Sequence, residues 1–121
     1  MPIIDVELVI AGSGEIAAGL ASSLADQLGQ LLGAQPGHVW VRVRSLAADR
    51  YAENASALGA EELPVFVSVL HAGRPEASVL AAEAAGIARV VAAVTARPPD
   101  RVHVEYPPPA AGRIAFGGVL G

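Results

Sequence analysis

The strongest constraint on the fold is an internal repeat with a spacing of 63 residues. The segment 35–43, which reads QPGHVWVRV, resembles the segment 97–106, which reads RPPDRVHVEY, and Pro36 maps onto Pro99. A repeated sequence predicts a repeated structural unit. We therefore expect two copies of one supersecondary motif, in halves that span residues 2–63 and 64–121.

The length and composition of the chain predict a single domain over residues 1–121. A chain of 121 residues is long enough to bury one core but too short for two. Its 53% of hydrophobic and 17% of charged residues place it far from the disordered class. No apolar run approaches a membrane span, and Asp5 and Glu7 interrupt the short apolar stretch at the amino end. We therefore expect a cytoplasmic protein with no membrane partner.

The side-chain inventory argues against several kinds of site. The chain has no cysteine, which excludes disulfides, thiolate metal sites and cysteine nucleophiles. His38, His71 and His103 are scattered singly, so we expect no metal and no cofactor, and we interpret His71 as a hydrogen-bonded residue at a strand end. The net charge is -4 and all 8 basic residues are arginine, which argues against a nucleic-acid partner. Arginine binds carboxylates bidentately, which fits a carboxylate ligand.

The first half has the pattern of a strand, a helix and a strand. Residues 3–10 are apolar with acids interleaved, and Ser13 is of a type that caps helices. Gly33 and Pro36 predict the end of the helix. Residues 39–43 alternate between apolar and polar, as in a strand with one buried face. The predicted apolar stripe of the helix consists of Ile16, Leu20, Leu24, Leu28 and Leu31.

The second half has the same pattern after a polar linker at residues 54–62. It opens with an apolar strand at 65–70, and Pro75 is placed where the first turn of a helix accepts proline. Residues 102–106 form the last long strand, and the glycine-rich tail 116–121 suits a short hairpin or a strand added to a neighbouring molecule. The predicted buried face of the helix consists of Val79, Leu80, Ile87, Val90, Val91 and Val94.

These elements predict an α+β fold. A strand, helix and strand connected within one sheet require parallel pairing and a right-handed crossover. Two such β-α-β units side by side make a four-stranded sheet with both helices on one face. The opposite face would remain uncovered, so we expect a homo-oligomer.

Pro2 is the most unusual candidate for chemistry. An internal proline is an acylated amide without an N–H, but removal of Met1 would turn Pro2 into a secondary amine. An ordinary α-amino group titrates near roughly 7.7 to 8.0, and burial disfavours its ammonium form. Such an amine can act as a general base at neutral pH. The alternative is that Pro2 is an ordinary first residue of a strand.

Three short segments carry a resemblance to a known family. Met1 and Pro2 stand directly before a strand, residues 99–106 read PDRVHVEY, and residues 113–118 read RIAFGG. With two β-α-β units in a chain of this length, they resemble the tautomerase superfamily. Its members include 4-oxalocrotonate tautomerase, macrophage migration inhibitory factor and the 3-chloroacrylic acid dehalogenases. The resemblance covers nearly the whole chain and implies a homotrimer.

The resemblance implies that Pro2 and Arg74 are the central site residues. In that family the free amino-terminal proline is the catalytic base, or the acid in the dehalogenases, and arginines hold the carboxylate of a small substrate. Carried over, Pro2 transfers the proton. The segment 70–75, LHAGRP, looks like the family's Gly-Arg-Ser turn, so Arg74 would bind the substrate carboxylate.

Four further residues receive substrate-binding roles from the same resemblance. His103 and Glu105 match positions that line the pocket of a neighbouring subunit in the migration-factor branch, so they would act across a trimer interface. Tyr51 occupies the position that supplies an aromatic pocket wall in short tautomerases. Arg113 would either clamp a carboxylate or bind a neighbouring strand.

The chain also departs from the family pattern. Ala11, Gly12 and Ser13 stand where short tautomerases have an arginine, and Ala34 stands where the migration-factor branch has a lysine. Glu105 replaces a neutral polar residue by an acid, which changes the reaction or repels a carboxylate.

Two classes of function therefore remain open. The first is a tautomerase-type isomerase with Pro2 as its base, or a related hydratase or decarboxylase, because a fold does not fix a reaction. The second is a non-catalytic oligomer that keeps the scaffold for binding or structure. Removal or retention of Met1 separates the two.

Overall fold

The computed structural model describes residues 2–12 and 16–121 as two β-α-β units and a short terminal hairpin. The first unit comprises β1 (Ile3–Ile10), α1 (Leu20–Leu31) and β2 (Trp40–Ala47). The second comprises β3 (Val65–Leu70), α2 (Ala77–Thr95) and β4 (Val102–Glu105). The hairpin pairs β5 (Ala115–Phe116) with β6 (Val119–Leu120). Short 3₁₀ turns span Ala48–Arg50, Ala60–Glu62 and Pro99–Arg101.

The four long strands form one mixed sheet in the order β2-β1-β3-β4. Each unit is internally parallel, with Ile4 opposite Val41 in the first and Val67 opposite Val104 in the second. The units join through antiparallel β1 and β3, where Val6 lies opposite Val67. Parallel pairing is what a helical connection within one sheet requires. The predicted α+β class and the predicted strand pairing are therefore confirmed.

Both helices pack on one face of this sheet. Leu24 and Leu28 of α1 and Ile87 and Val91 of α2 have no exposed surface and belong to one core cluster with the inward side chains of the strands. Leu24 and Ile87 are 63 positions apart, as are Leu28 and Val91. The repeat in the sequence thus corresponds to a repeat in the core.

The beginning of α1 differs from the prediction. The helix starts at Leu20, so Ile16 lies outside it, and the predicted cap Ser13 falls outside the described residues. Gly19 directly precedes the helix with φ 82° and ψ 0°, a left-handed conformation that glycine adopts without steric cost. This conformation is incompatible with a helix that continues through residue 19.

Two details of the second helix also differ. Pro75 lies before the helix rather than in its first turn, because Glu76 is the extended capping residue and the helix begins at Ala77. Val79 is predicted on the buried face, but it is 55% exposed. Ile87 and Val91 are buried as predicted.

The other face of the sheet points away from the helices and carries charged, polar and aromatic side chains. Asp5 and Arg42 lie opposite each other on β1 and β2, and the guanidinium makes two contacts with the carboxylate, at 2.6 Å from Nε and 2.9 Å from Nη2. Phe66 of β3 and His103 of β4 lie side by side on this face, with ring centroids 5.6 Å apart. We call it the open face.

The α2 helix is long and apolar enough to cross a membrane by length and composition alone. Core helices of globular domains often share this property, and Ile87 and Val91 pack into the core beneath the sheet. Glu83 and Arg89 also interrupt the apolar sequence of the helix.

Candidate functional site

Pro2 is held at the start of β1 by the neighbouring strand. It is buried, and its carbonyl oxygen accepts a hydrogen bond from the Trp40 backbone N–H at 3.1 Å. Beside it opens a cavity of about 350 Å³, which we call the amino-terminal cavity. Its lining consists of Pro2, Leu32, Gly33, Ala34, Gln35, His38, His71 and Glu83.

Two residues of this lining, His71 and Glu83, form a hydrogen-bonded trio with Tyr106. Oε2 of Glu83 lies 2.8 Å from Nε2 of His71 and accepts the Tyr106 hydroxyl at 2.7 Å. The His71 and Tyr106 rings stack with centroids 5.9 Å apart and an interplanar angle of 8°. Burial, together with the hydrogen bond to Glu83, holds the pKa of Tyr106 well above its usual range, so its phenol remains a donor.

Arg74 lines a second cavity, of about 310 Å³, which we call the Arg74 cavity. His71 lines both cavities, so Pro2 and Arg74 belong to adjoining spaces with one imidazole between them. The Arg74 cavity is lined by Val69, His71, Arg74, Pro75, Leu80, Tyr106 and the three prolines at 107–109.

Tyr51 and His103 lie together in a different place, on the open face. Both pack against Phe66, with centroid distances of 5.8 Å and 5.6 Å. Tyr51 donates to Glu53 at 2.6 Å, and Arg101 contacts the same oxygen at 2.6 Å. Neither Tyr51 nor His103 lines either cavity of its own chain.

Glu105 and Arg113 are both exposed. Glu105 lies on β4 opposite Ser68 and projects from the open face, next but one to His103. Arg113 lies in the turn that leads into the hairpin, where its backbone N–H donates to the Ala110 carbonyl at 2.7 Å. Within one chain, therefore, the structure groups Pro2 with Arg74, and Tyr51 with His103, as two separate sets.

Glu83 and Tyr106 were not among the predicted site residues. A signal for Glu83 existed, because it lies three residues after Leu80 and four before Ile87, on the apolar stripe of α2. An acid on a buried stripe needs a hydrogen-bonding partner, and His71 and Tyr106 supply two.

Ala34 lines the amino-terminal cavity, where it contributes no charge. In residues 2–12 and 16–121, no group of three or more His, Asp or Glu side chains is arranged to hold a metal ion.

Comparison with solved structures identifies proteins that share this fold. Macrophage migration inhibitory factor from Trichinella spiralis matches with a TM-score of 0.73 and 14% identity over 97% of each chain. The Q0 fused 4-OT protein, a symmetric trimer, matches with a TM-score of 0.73 and 21% identity, over 98% of this chain and 94% of that one. Pt0534, inactivated by 2-oxo-3-pentynoate, matches with a TM-score of 0.75 and 15% identity, over 98% of this chain and 94% of that one.

These matches show the fold at low sequence identity. No protein-family model matches the chain, and no curated protein matches it by sequence. The predicted resemblance to the tautomerase superfamily is thereby confirmed at the level of the fold, with its paired β-α-β units.

Proposed function

We propose that this chain, which has the fold of macrophage migration inhibitory factor and fused 4-OT, is a tautomerase-type isomerase with Pro2 as its general base. Removal of Met1 frees the prolyl amine. The amine then takes a proton from the carbon next to a carbonyl in a small keto-enol or unsaturated carboxylic acid and returns it at another position. We place this activity in the cytoplasm.

The position of Pro2 is the observation that supports the proposal most. Pro2 is buried at the wall of a cavity of about 350 Å³ that also contains two imidazoles and a carboxylate. Burial favours the neutral form of an amine, which is the form that accepts a proton. A proline at the start of a purely structural strand would not need a cavity or titratable neighbours.

Arg74 is the proposed carboxylate ligand. It lines the cavity that shares His71 with the cavity of Pro2. A guanidinium binds a carboxylate through two parallel charge-assisted hydrogen bonds, which fixes orientation as well as position. A substrate held there would extend past His71 toward Pro2.

We further propose that the working unit is a homotrimer. The fused 4-OT match is itself a trimer, and the open face of this chain presents side chains that no helix covers. In that assembly His103, Glu105, Tyr51 and Arg113 approach the cavities of a neighbouring copy. Light scattering is expected to give three times the chain mass of 12.2 kDa, and a monomer would contradict the shared site.

The test of the base is alkylation of Pro2. Intact mass of the untagged protein is expected to show loss of Met1, and incubation with 2-oxo-3-pentynoate or a 3-bromopropiolate is expected to add one equivalent at Pro2. The matched control is the same chain with an uncleaved amino-terminal extension, which keeps Pro2 in place but acylated. Retention of Met1 in essentially every molecule, or labelling that is equal in the control, would support a non-catalytic role instead.

A further inference from the structure

The trio of Glu83, His71 and Tyr106 draws its members from three elements. Glu83 lies on α2, His71 follows β3 and Tyr106 follows β4. The backbone also holds His71 in place, because its carbonyl accepts the Ala110 N–H at 2.8 Å. The His71 and Glu83 side chains are only 18% and 12% exposed. This imidazole is therefore fixed in orientation at the boundary between the two cavities.

The first half of the chain shows that the fold does not require this trio. At the repeat spacing of 63 residues, the equivalents of His71, Glu83 and Tyr106 are Leu8, Leu20 and Val43. Leu8 belongs to the buried hydrophobic cluster, and Leu20 and Val43 are partly buried and pack against it. The same architecture is thus built once with apolar side chains and once with a polar network.

A partly buried polar network is a costly substitute for apolar packing. Partial burial of a carboxylate and an imidazole removes some of their hydration, and replacement of buried charged groups by apolar residues of similar size is often neutral or stabilising. Stability alone therefore gives no reason for the trio in the second half. Its location does, because His71 is the residue shared by the cavities of Pro2 and Arg74.

We propose that His71 is a second proton-transfer residue of the site and that Glu83 is its positioning residue. The inference rests on the proposed function. A substrate with its carboxylate at Arg74 and its reacting carbon at Pro2 places the intervening oxygen beside His71. In the neutral ring, Nε2–H donates to Glu83, which leaves Nδ1 as the base.

Two proton transfers then balance the reaction. In the enol-to-keto direction, His71 accepts the enol O–H proton and the freed electron pair forms the carbonyl. The carbon–carbon π pair takes a proton from the protonated Pro2 amine. The products are the ketone, imidazolium and the neutral amine, and water returns the proton from His71 to Pro2. The reverse reaction uses the neutral amine and the imidazolium.

Several polar groups surround His71. Glu83 on α2 contacts its ring nitrogen, and Tyr106 donates its hydroxyl to the same Glu83 oxygen. The other titratable or charged residues that line the two cavities are His38, Arg74 and the proposed Pro2 amine. Substitution of Glu83 by glutamine keeps an acceptor but removes the one negative charge of the trio.

The experiment follows deuterium exchange at C3 of 2-oxobutanoate in D₂O by proton NMR, across pD, with alkylation of Pro2 by 2-oxo-3-pentynoate measured in parallel. We expect His71→Asn to slow exchange about 100-fold while alkylation persists. We expect Glu83→Gln to slow exchange about tenfold while alkylation persists, because the His71 ring loses the charged acceptor that orients it. Glu83→Asp restores part of the rate. Glu76→Gln, which removes an acid just before α2 that lines neither cavity, is the control.

The outcomes distinguish the two proposals. Wild-type protein that lacks Met1 but shows neither alkylation nor exchange overturns the proposed function and, with it, the role of His71. A second outcome overturns only the role of His71. In that case the wild-type protein shows normal alkylation and exchange, and the His71 and Glu83 variants show the same exchange rate and the same pD profile. Alkylation without any exchange also overturns it, because no proton is then transferred. Tyr106→Phe, which keeps the stacked ring, provides a further variant if His71→Asn does not fold.

Discussion

Leu24 of α1 and Ile87 of α2 occupy equivalent positions in the two repeats, and both side chains are completely buried. They meet the same face of one sheet from two helices that contact each other. The two β-α-β units therefore share one core, and neither unit encloses a separate core.

Truncation of either residue is expected to destabilise the whole fold. Leu24→Ala and Ile87→Ala each remove several buried methyl groups and leave a cavity, which lowers the free energy of unfolding by about 2–5 kcal/mol. Urea denaturation at one fixed protein concentration measures the effect, because the stability of an oligomer depends on concentration. Val79→Ala is the control, since Val79 is 55% exposed and its truncation is expected to change stability by about 0.5 kcal/mol or less. Equal losses at Val79 and Ile87 would contradict the shared core.

Gly86 lets α2 approach Leu31 of α1. A Cβ at Gly86 would lie 3.0 Å from Cδ1 of Leu31, closer than ordinary contact. Alanine in place of a helical glycine gains about 1 kcal/mol of helix propensity. We expect Gly86→Ala to show that full gain in a Leu31→Ala background, but about 0.5–1 kcal/mol less in the wild-type background. Urea unfolding of the four proteins tests this, and identical gains in both backgrounds would rule out the contact.

Glu53 is expected to make stability depend on pH in the acid range. Hydrogen bonds from Tyr51 and then Arg101 lower the pKa of Glu53 in the folded chain. Because the pKa of Glu53 is lower in the folded chain, its ionised carboxylate stabilises the fold above the unfolded pKa of roughly 4.3. That stabilisation is lost as the pH falls through the lower pKa of the folded state. Glu53→Gln should therefore reduce the loss of stability between about pH 5 and 3.

The measurement for Glu53 is the urea midpoint as a function of pH. Glu61→Gln serves as the matched control, because Glu61 is an exposed acid in the polar linker that follows Glu53. A pH dependence that changes equally in both variants would mean that the ion pair with Arg101 adds nothing specific.

Much of the fold could be predicted from local patterns. The strand at Ile3–Ile10 and the burial of Leu24, Leu28 and Ile87 follow from period-two and helical spacing of apolar residues. The start of α1 at Leu20 could not be predicted in this way. It follows the left-handed backbone conformation of Gly19, and no side-chain hydrogen bond caps the helix. A candidate cap in the sequence is weak evidence when a later glycine adopts such a conformation.

The site was predictable only in part. Pro2 and Arg74 have individual chemistry that is visible in the sequence, and the structure places them in adjoining cavities. Glu83 lies 12 residues from His71 and 23 from Tyr106, so their contacts arise from tertiary packing of three elements. Residue types alone do not show which side chains will meet across a sheet and a helix.

Arg74 is expected to control binding of the probe without altering the reactivity of Pro2. Loss of a charge-assisted contact to a carboxylate costs about 1.5–3 kcal/mol, so Arg74→Gln should raise the half-saturating concentration of 2-oxo-3-pentynoate about tenfold or more. The limiting rate of alkylation should stay the same, because the guanidinium contributes equally to ground-state and transition-state binding. Arg89→Gln removes the same charge from an exposed position on α2 that lines neither cavity. An equal shift in both variants would show that net charge, and not a contact at Arg74, attracts the carboxylate.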